Sequence, residues 1–268
     1  MQRRAQPMKP VPLFLDRIGF AASGATGWGA LKTALAEGGW RHDPDWSVAP
    51  LCLAPRAARR LSPQIRLALA VAEQLGEMPA ETGYVFASSV GEGETLKIIL
   101  DALRTEEMLI QPLRFQNAVF NAASGQWTIA TRRQGPATSV AAYDQTFGAG
   151  LMKTVMQIAL ERRPVGLVCY DAPFPQPLHP ARPMAMALGA GFAFSPAPTG
   201  DTIAALTATL GDARPSAPQS GIGREMLASG NPIAQAMCLL EPLARGERGK
   251  VTVALDGSCT LTLEITAP

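Results

Sequence analysis

Residues with which proteins bind metals and run redox chemistry are few and scattered in this chain. Cys52, Cys169, Cys238 and Cys259 form no C-x-x-C pair, and His42 and His179 stand far apart, so no zinc site or dithiol motif is encoded and no metal is expected. No run of about 18 uninterrupted apolar residues occurs, which argues against a membrane span. The N-terminal MQRRAQPMKPVP is basic but runs through prolines without an apolar signal core. Together with the unpaired cysteines this leads us to expect a cytoplasmic protein. Gly24, Gly27 and Gly29 lack G-x-G-x-x-G spacing, and GEGET at residues 91–95 lacks the Gly-Lys-Ser/Thr of a phosphate loop. No nucleotide cofactor is therefore expected. With 6% aromatic residues, a net charge of +2 and no basic stripe, nucleic-acid binding has no support either. The arginine pairs Arg59–Arg60, Arg132–Arg133 and Arg162–Arg163 read as solvated surface, or as contacts for an acidic partner.

What the chain has is apolar periodicity. Its 268 residues are 47% hydrophobic, enough to bury a substantial core. We read residues 1–11 as a loose tail and 12–268 as one domain. Residues 13–22 (LFLDRIGFAA) read as a strand, followed by a glycine-rich turn and a short helix through Trp28, Leu31 and Leu35. Ser62 and Pro63 open a helix that runs to Gly76. YVFASS at residues 84–89 reads as a buried strand, and Glu92 and Glu94 suit the start of a helix through Leu96, Ile99, Leu100 and Leu103. VGLVCY (165–170) is a buried strand ending at Asp171, residues 185–194 and 202–210 are further strands, and residues 212–223 are a loop. A helix capped by Asn231 and Pro232 runs through Leu243, and KVTVAL, the Asp256–Gly257 turn and CTLTLEI form a terminal hairpin. Strands alternate with helices early and become antiparallel late, so the class is α/β with a mixed central sheet packed by helices.

The stretch GPATSVAAYDQTFGAGLMKTVMQI, residues 135–158, converts a strand of small and β-branched residues into a helix with Phe147, Leu151, Val155 and Ile158 on one stripe. Such an elbow aims a side chain and free backbone N–H groups at one small volume, which is why nucleophiles are placed there in many α/β enzymes. Here the elbow carries Asp144, Gln145 and Thr146, and no Cys. Asp is a favoured N-cap, so a capping role for Asp144 is the plain reading, worth about 1 kcal/mol.

The segments IGFAASGATGWGAL, YVFASSVGEGET and FQNAVFNAASGQWTIAT, with Gly135–Pro136 leading to the elbow and FGAGL, resemble the N-terminal half of a β-ketoacyl synthase of the thiolase-like fold, over residues 14–196. The short chain is similar to the chain-length-factor-like proteins of aryl polyene biosynthesis. In the synthases the acyl-accepting Cys lies nine residues beyond the Gly, which here is Asp144. The resemblance also implies two catalytic histidines, and neither His42 nor His179 lies in a matching segment. Claisen condensation needs a thiolate to hold the acyl group and donors to stabilise an enolate. A carboxylate in that place would form a labile anhydride and repel a malonyl group.

The resemblance therefore implies a subunit without its own condensing Cys, partnering a ketosynthase that has one and working with an acyl carrier protein. The strand at residues 137–143 would pair across a two-fold axis, and Phe120, Asn121, Trp127, Tyr143 and Phe147 are candidates for lining the interface or an acyl tunnel. Alternatives are an acyltransferase or decarboxylase using Asp144 and Gln145, or a homodimeric acyl- or CoA-binding scaffold. His42 and His179 read as loop residues, and Ser124 in AASGQW as a site of close helix packing.

Overall fold

The computed structural model describes residues 9–105, 115 and 117–267, and a single mixed sheet organises them. Its strands are β1 (Val11–Ala22), β2 (Ala25–Thr26), β3 (Gly83–Ala87), β4 (Ala137–Val140), β5 (Val165–Asp171), β6 (Leu188–Ser195), β7 (Ala204–Gly211), β8 (Gly249–Ala254) and β9 (Thr260–Thr266). They lie in the order β4-β3-β5-β6-β1-β7-β9-β8, with β2 folded back onto β1. The β4-β3-β5 portion is parallel and every later pairing is antiparallel, as the shift from alternating helices to a terminal hairpin predicts. The final strands β7, β8 and β9 extend the same sheet beyond β1, so the last part of the chain widens the sheet instead of covering its edge.

Helices cover both faces. On one side α2 (Pro63–Glu73) lies across β1, β5 and β6, started by Ser62, whose hydroxyl accepts from Ile65 N at 3.2 Å. It settles close because β6 carries Gly189 beneath it, where a Cβ would come 2.6 Å from Val71 Cγ2. Leu67, Val71 and Leu75 fill that layer with Phe86 and Tyr170. On the other side α5 (Thr146–Glu161) buries Phe147, Leu151, Val155 and Ile158 against Leu167, Cys169, Phe192 and Phe194. The stripe read from the sequence is thus the helix's buried face. Further helices are α1 (Trp28–Glu37) before these, α3 (Gly93–Ala102) and α4 (Ala122–Thr131) between them, and α6 (Gly221–Ala228) and α7 (Met237–Ala244) after them.

Two local expectations change. Residues 221–228, partly read as loop, are the helix α6, started by the Ser220 hydroxyl accepting from Gly223 N at 2.8 Å. Residues 220–228 contain a cap at Ser220 and a buried face at Ile222, Gly223 and Met226, but their glycines hid the periodicity. The helix read through Leu96, Ile99, Leu100 and Leu103 forms as α3, ending just before Leu103, and Leu96, Leu100 and Leu103 are 43%, 41% and 50% exposed. Cys238 sits in an apolar run that predicts a buried thiol, but it is only half-buried. Within the segment FQNAVFNAASGQWTIAT, Gln116 falls outside the described residues.

Candidate active-site elbow

Strand β4 ends at Val140, and the chain turns through a single 3-10 turn, Tyr143–Gln145, into α5. Tyr143 takes the turn in the left-handed region, φ +52°, a conformation that costs a non-glycine residue energy and is held only by its surroundings. Two contacts hold it. The buried Thr146 hydroxyl donates to Tyr143 O at 2.7 Å and accepts from Ala142 N at 3.1 Å. The Arg182 guanidinium lies over the Tyr143 ring, 3.8 Å from its centroid.

Asp144 therefore does not cap the helix, contrary to the sequence reading. The first residue outside α5 is Gln145, which makes no side-chain cap, and Thr146 performs the local tie instead. The Asp144 carboxylate turns to Arg182 and meets Nη1 at 2.6 Å. The pair is asymmetric, with the Arg182 side chain 9% exposed and that of Asp144 58% exposed. Arg182 Nε and Nη2 are buried and meet no acceptor among the described residues. Gln235 Nε2 donates to Asp144 O at 2.9 Å, tying the elbow to the segment before α7.

Behind the elbow, at the carboxyl ends of β3 and β5, lies a polar knot the sequence reading missed. Asp171 is fully buried; its carboxylate accepts from Ser88 Oγ at 2.8 Å, Ser89 N at 3.0 Å and Gln64 Nε2 at 3.3 Å. Burial pushes this carboxyl up to about 6, and the hydrogen bonds from Ser88 and Ser89 and the charge of Arg182 only partly offset it. Asn231 closes the knot, donating from Nδ2 to Asp171 O at 3.0 Å and Met186 O at 3.1 Å. One signal was available: a lone carboxylate ends the otherwise uncharged run VGLVCYD. Arg182, inside a proline-rich loop, gave none.

The other candidates separate. Trp127 is buried beside Tyr84, ring centroids 5.5 Å apart, on the α2 side of the sheet, whereas Phe147 is buried on the α5 side against Phe192. Phe120, Asn121 and Tyr143 are exposed. Ser124 is buried at the start of α4, where its hydroxyl donates to Asn121 O at 2.9 Å and lies 3.3 Å from Ser139 Oγ on β4, a close helix–strand contact. His42 is exposed near Trp40, and His179 begins the 3-10 turn that leads to Arg182. Cys169 lies under α5, fully buried, with burial and Asp171 holding its thiol protonated. No group of three or more His, Cys, Asp or Glu that could hold a metal ion is found among the described residues. The elbow thus offers a carboxylate already engaged by an arginine, flanked by an amide and a phenol.

Residues 36–246 match the family described as β-ketoacyl synthase, N-terminal domain. A search of the curated proteins finds no match. Among solved structures, the fold is similar to the ketosynthase ApeO in complex with its chain length factor ApeC from Xenorhabdus doucetiae. That likeness has 22% identity and a TM-score of 0.73, over 95% of this chain and 99% of the matched one. The ishigamide ketosynthase/chain length factor matches with 12% identity and a TM-score of 0.67, over 96% and 99%. A ketosynthase from module 6 of the bacillaene synthase of Bacillus subtilis 168 matches with 11% identity and a TM-score of 0.53, over 81% of this chain but 44% of that one.

Proposed function

Because the chain belongs to the family of β-ketoacyl synthase N-terminal domains, we propose that it serves as the non-condensing, chain-length-factor-like subunit of a ketosynthase carrying the reactive Cys. The observation that carries this reading is the elbow itself. Its backbone is kept in a strained turn, but the position matching the nucleophile holds Asp144, neutralised by Arg182. A partner that needs only the shape of the elbow would keep the turn without the chemistry.

The shape of the molecule supports a partner at this end of the sheet. Among the described residues strand β4 is an edge strand pairing only with β3, and its parallel register places Tyr84 N on Pro136 O at 2.8 Å and Ser88 N on Val140 O at 3.1 Å. The odd-numbered residues 137, 139 and 141 therefore turn their N–H and C=O groups to the free edge, which is a template for another strand. Apolar side chains are also exposed at Tyr143, just past this strand, at Val119 and Phe120, and at Leu96 and Leu100 on α3 and Leu103 at its end. In this reading Phe120, Asn121 and Tyr143 border the partner's acyl tunnel, an acyl carrier protein delivers the substrate, and the pathway is of the fatty acid or aryl polyene polyketide type.

The test is co-expression with a Cys-bearing ketosynthase from the same genome, followed by size-exclusion chromatography with mass detection and a malonyl-dependent condensation assay. We expect a one-to-one complex whose activity requires the partner's Cys. Ser139→Pro, which leaves the β3 ladder its donors but blocks the free edge, should abolish the complex and keep the fold. Turnover of acyl thioesters by this chain alone would overturn the reading.

A further inference from the structure

Arg182 lies in the loop between β5 and β6, and that loop sets its guanidinium at the elbow. The 3-10 turn His179–Ala181 closes with Arg182 N donating to His179 O at 3.1 Å, and the guanidinium then stacks on the Tyr143 ring, 3.8 Å from the centroid. The side chain is 9% exposed. Among the described residues its guanidinium has one acceptor, Asp144 Oδ1, 2.6 Å from Nη1. A cation held this deep strongly favours an anion at that acceptor's position, because losing the anion leaves the charge uncompensated.

The anion that stands there is loosely held by comparison. The Asp144 side chain is 58% exposed, and among the described residues Arg182 is the one donor to its carboxylate. Its backbone is fixed separately, by the 3-10 turn and by Gln235 Nε2 donating to Asp144 O at 2.9 Å. The side chain can therefore rotate into solvent without disturbing the turn. Beyond Cα an aspartate is an acetate ion, so the place facing Nη1 is open to water and already accommodates a short carboxylate.

We propose that Arg182 Nη1, backed by the Tyr143 ring, is a binding seat for a short monocarboxylate, and that Asp144 occupies it as a tethered inhibitor. A free carboxylate enters only when Asp144 swings out, and tethering gives the resident group an effective concentration that a dilute free ion does not match. The residue at position 144 sets the size accepted. Alanine keeps Cβ and leaves room for formate, whereas glycine leaves room for acetate. The seat is built within one chain, so its failure and that of the partnership proposed above are separate outcomes.

The probes are sodium formate and sodium acetate, with sodium chloride at equal ionic strength as reference, added to the full chain. Melting temperature and the NMR line width of each carboxylate are followed against concentration. Asp144→Ala should gain melting temperature saturably with formate, with a Kd on the order of 50 mM, and should bind acetate about fivefold more weakly. Asp144→Gly should reverse that order. The unaltered chain should show no saturable response up to about 300 mM of either ion. Asp144→Ala/Arg182→Met, which has the vacancy without the cation, should show none either, and its far-UV spectrum and cooperative melting establish that it is folded. The proposal is overturned if formate acts on Asp144→Ala no more than chloride does, or if Asp144→Gly keeps the preference for formate. It is equally overturned if the double variant or the unaltered chain binds formate as tightly as Asp144→Ala.

Discussion

Removing the Asp144 carboxylate distinguishes an ion pair from a helix cap, and the sizes of the effects follow from the asymmetry of the pair. The Arg182 side chain is 9% exposed and depends on Asp144 for the only acceptor its guanidinium meets among the described residues. A hydrogen bond between charged groups contributes about 1.5–3 kcal/mol. Because the Asp144 side chain is 58% exposed, water screens the pair and partly replaces it, so Asp144→Ala should cost about 1.5 kcal/mol. For a chain of this size that is a fall of roughly 3–6 °C in melting temperature. Asp144→Asn retains an oxygen acceptor without the charge and should cost about 1 kcal/mol. A cap would behave differently, since Asn and Asp cap equally well and the Asn variant would lose almost nothing.

Arg182→Met supplies the second half of the test. It forfeits the pair and the stacking over Tyr143, together about 1–2 kcal/mol. It also takes a charge with two unpaired donors, Nε and Nη2, out of the interior, which relieves a comparable cost. The net change should lie within about 1 kcal/mol of zero, and the double variant Asp144→Ala/Arg182→Met should be more stable than Asp144→Ala alone. Urea unfolding followed by circular dichroism measures all four proteins. If Asp144→Asn matches the unaltered chain while Arg182→Met is the most damaged, the ion-pair account of the elbow is wrong.

Asp171 gives a pH signature. Its carboxyl is lifted from 3.8 to about 6, so the folded chain holds a proton that the unfolded chain has released, and this group's contribution to stability is full below about pH 4 and lost as pH rises through 6. The unfolding free energy of the unaltered chain minus that of Asp171→Asn should therefore decline over that interval by on the order of 3 kcal/mol, and a flat difference would contradict the assignment. Gly148→Ala would push a methyl into the Ala254 carbonyl oxygen where α5 meets the end of β8, and should destabilise the chain by about 3 kcal/mol in thermal unfolding. Asn231→Ala leaves the carbonyls of Asp171 and Met186 without a donor and Ile233 N without its cap, and a loss of roughly 2–3 kcal/mol is expected by the same measurement.

Much of the architecture was legible because it rests on periodicity and local stop signals. The stripe of Phe147, Leu151, Val155 and Ile158, the Ser62–Pro63 helix start, the apolar run before Asp171 and the terminal hairpin each carry their own pattern over a few turns or one strand, and each forms where it was read. The elbow was legible in the same way, as a strand pattern giving way to a helix pattern, and so was the absence of Cys from it.

The partners of the elbow's side chains were not legible. Asp144 reads as a cap from its neighbours, but its carboxylate is claimed by Arg182, 38 residues away, across a loop whose composition says only that it is irregular. Ser88 and Gln64 reach Asp171 across 83 and 107 residues, joined because β3 and β5 are adjacent and α2 crosses above β5. Likewise the stripe of Leu96, Leu100 and Leu103 has helical spacing, but spacing alone does not say whether core or solvent lies opposite. The sequence by itself determined which segments are helix or strand and that the elbow has no thiol, since these depend on neighbours in the chain. Only the tertiary structure decided which distant groups meet at the strand ends, because strand order and helix placement, not sequence spacing, set those distances.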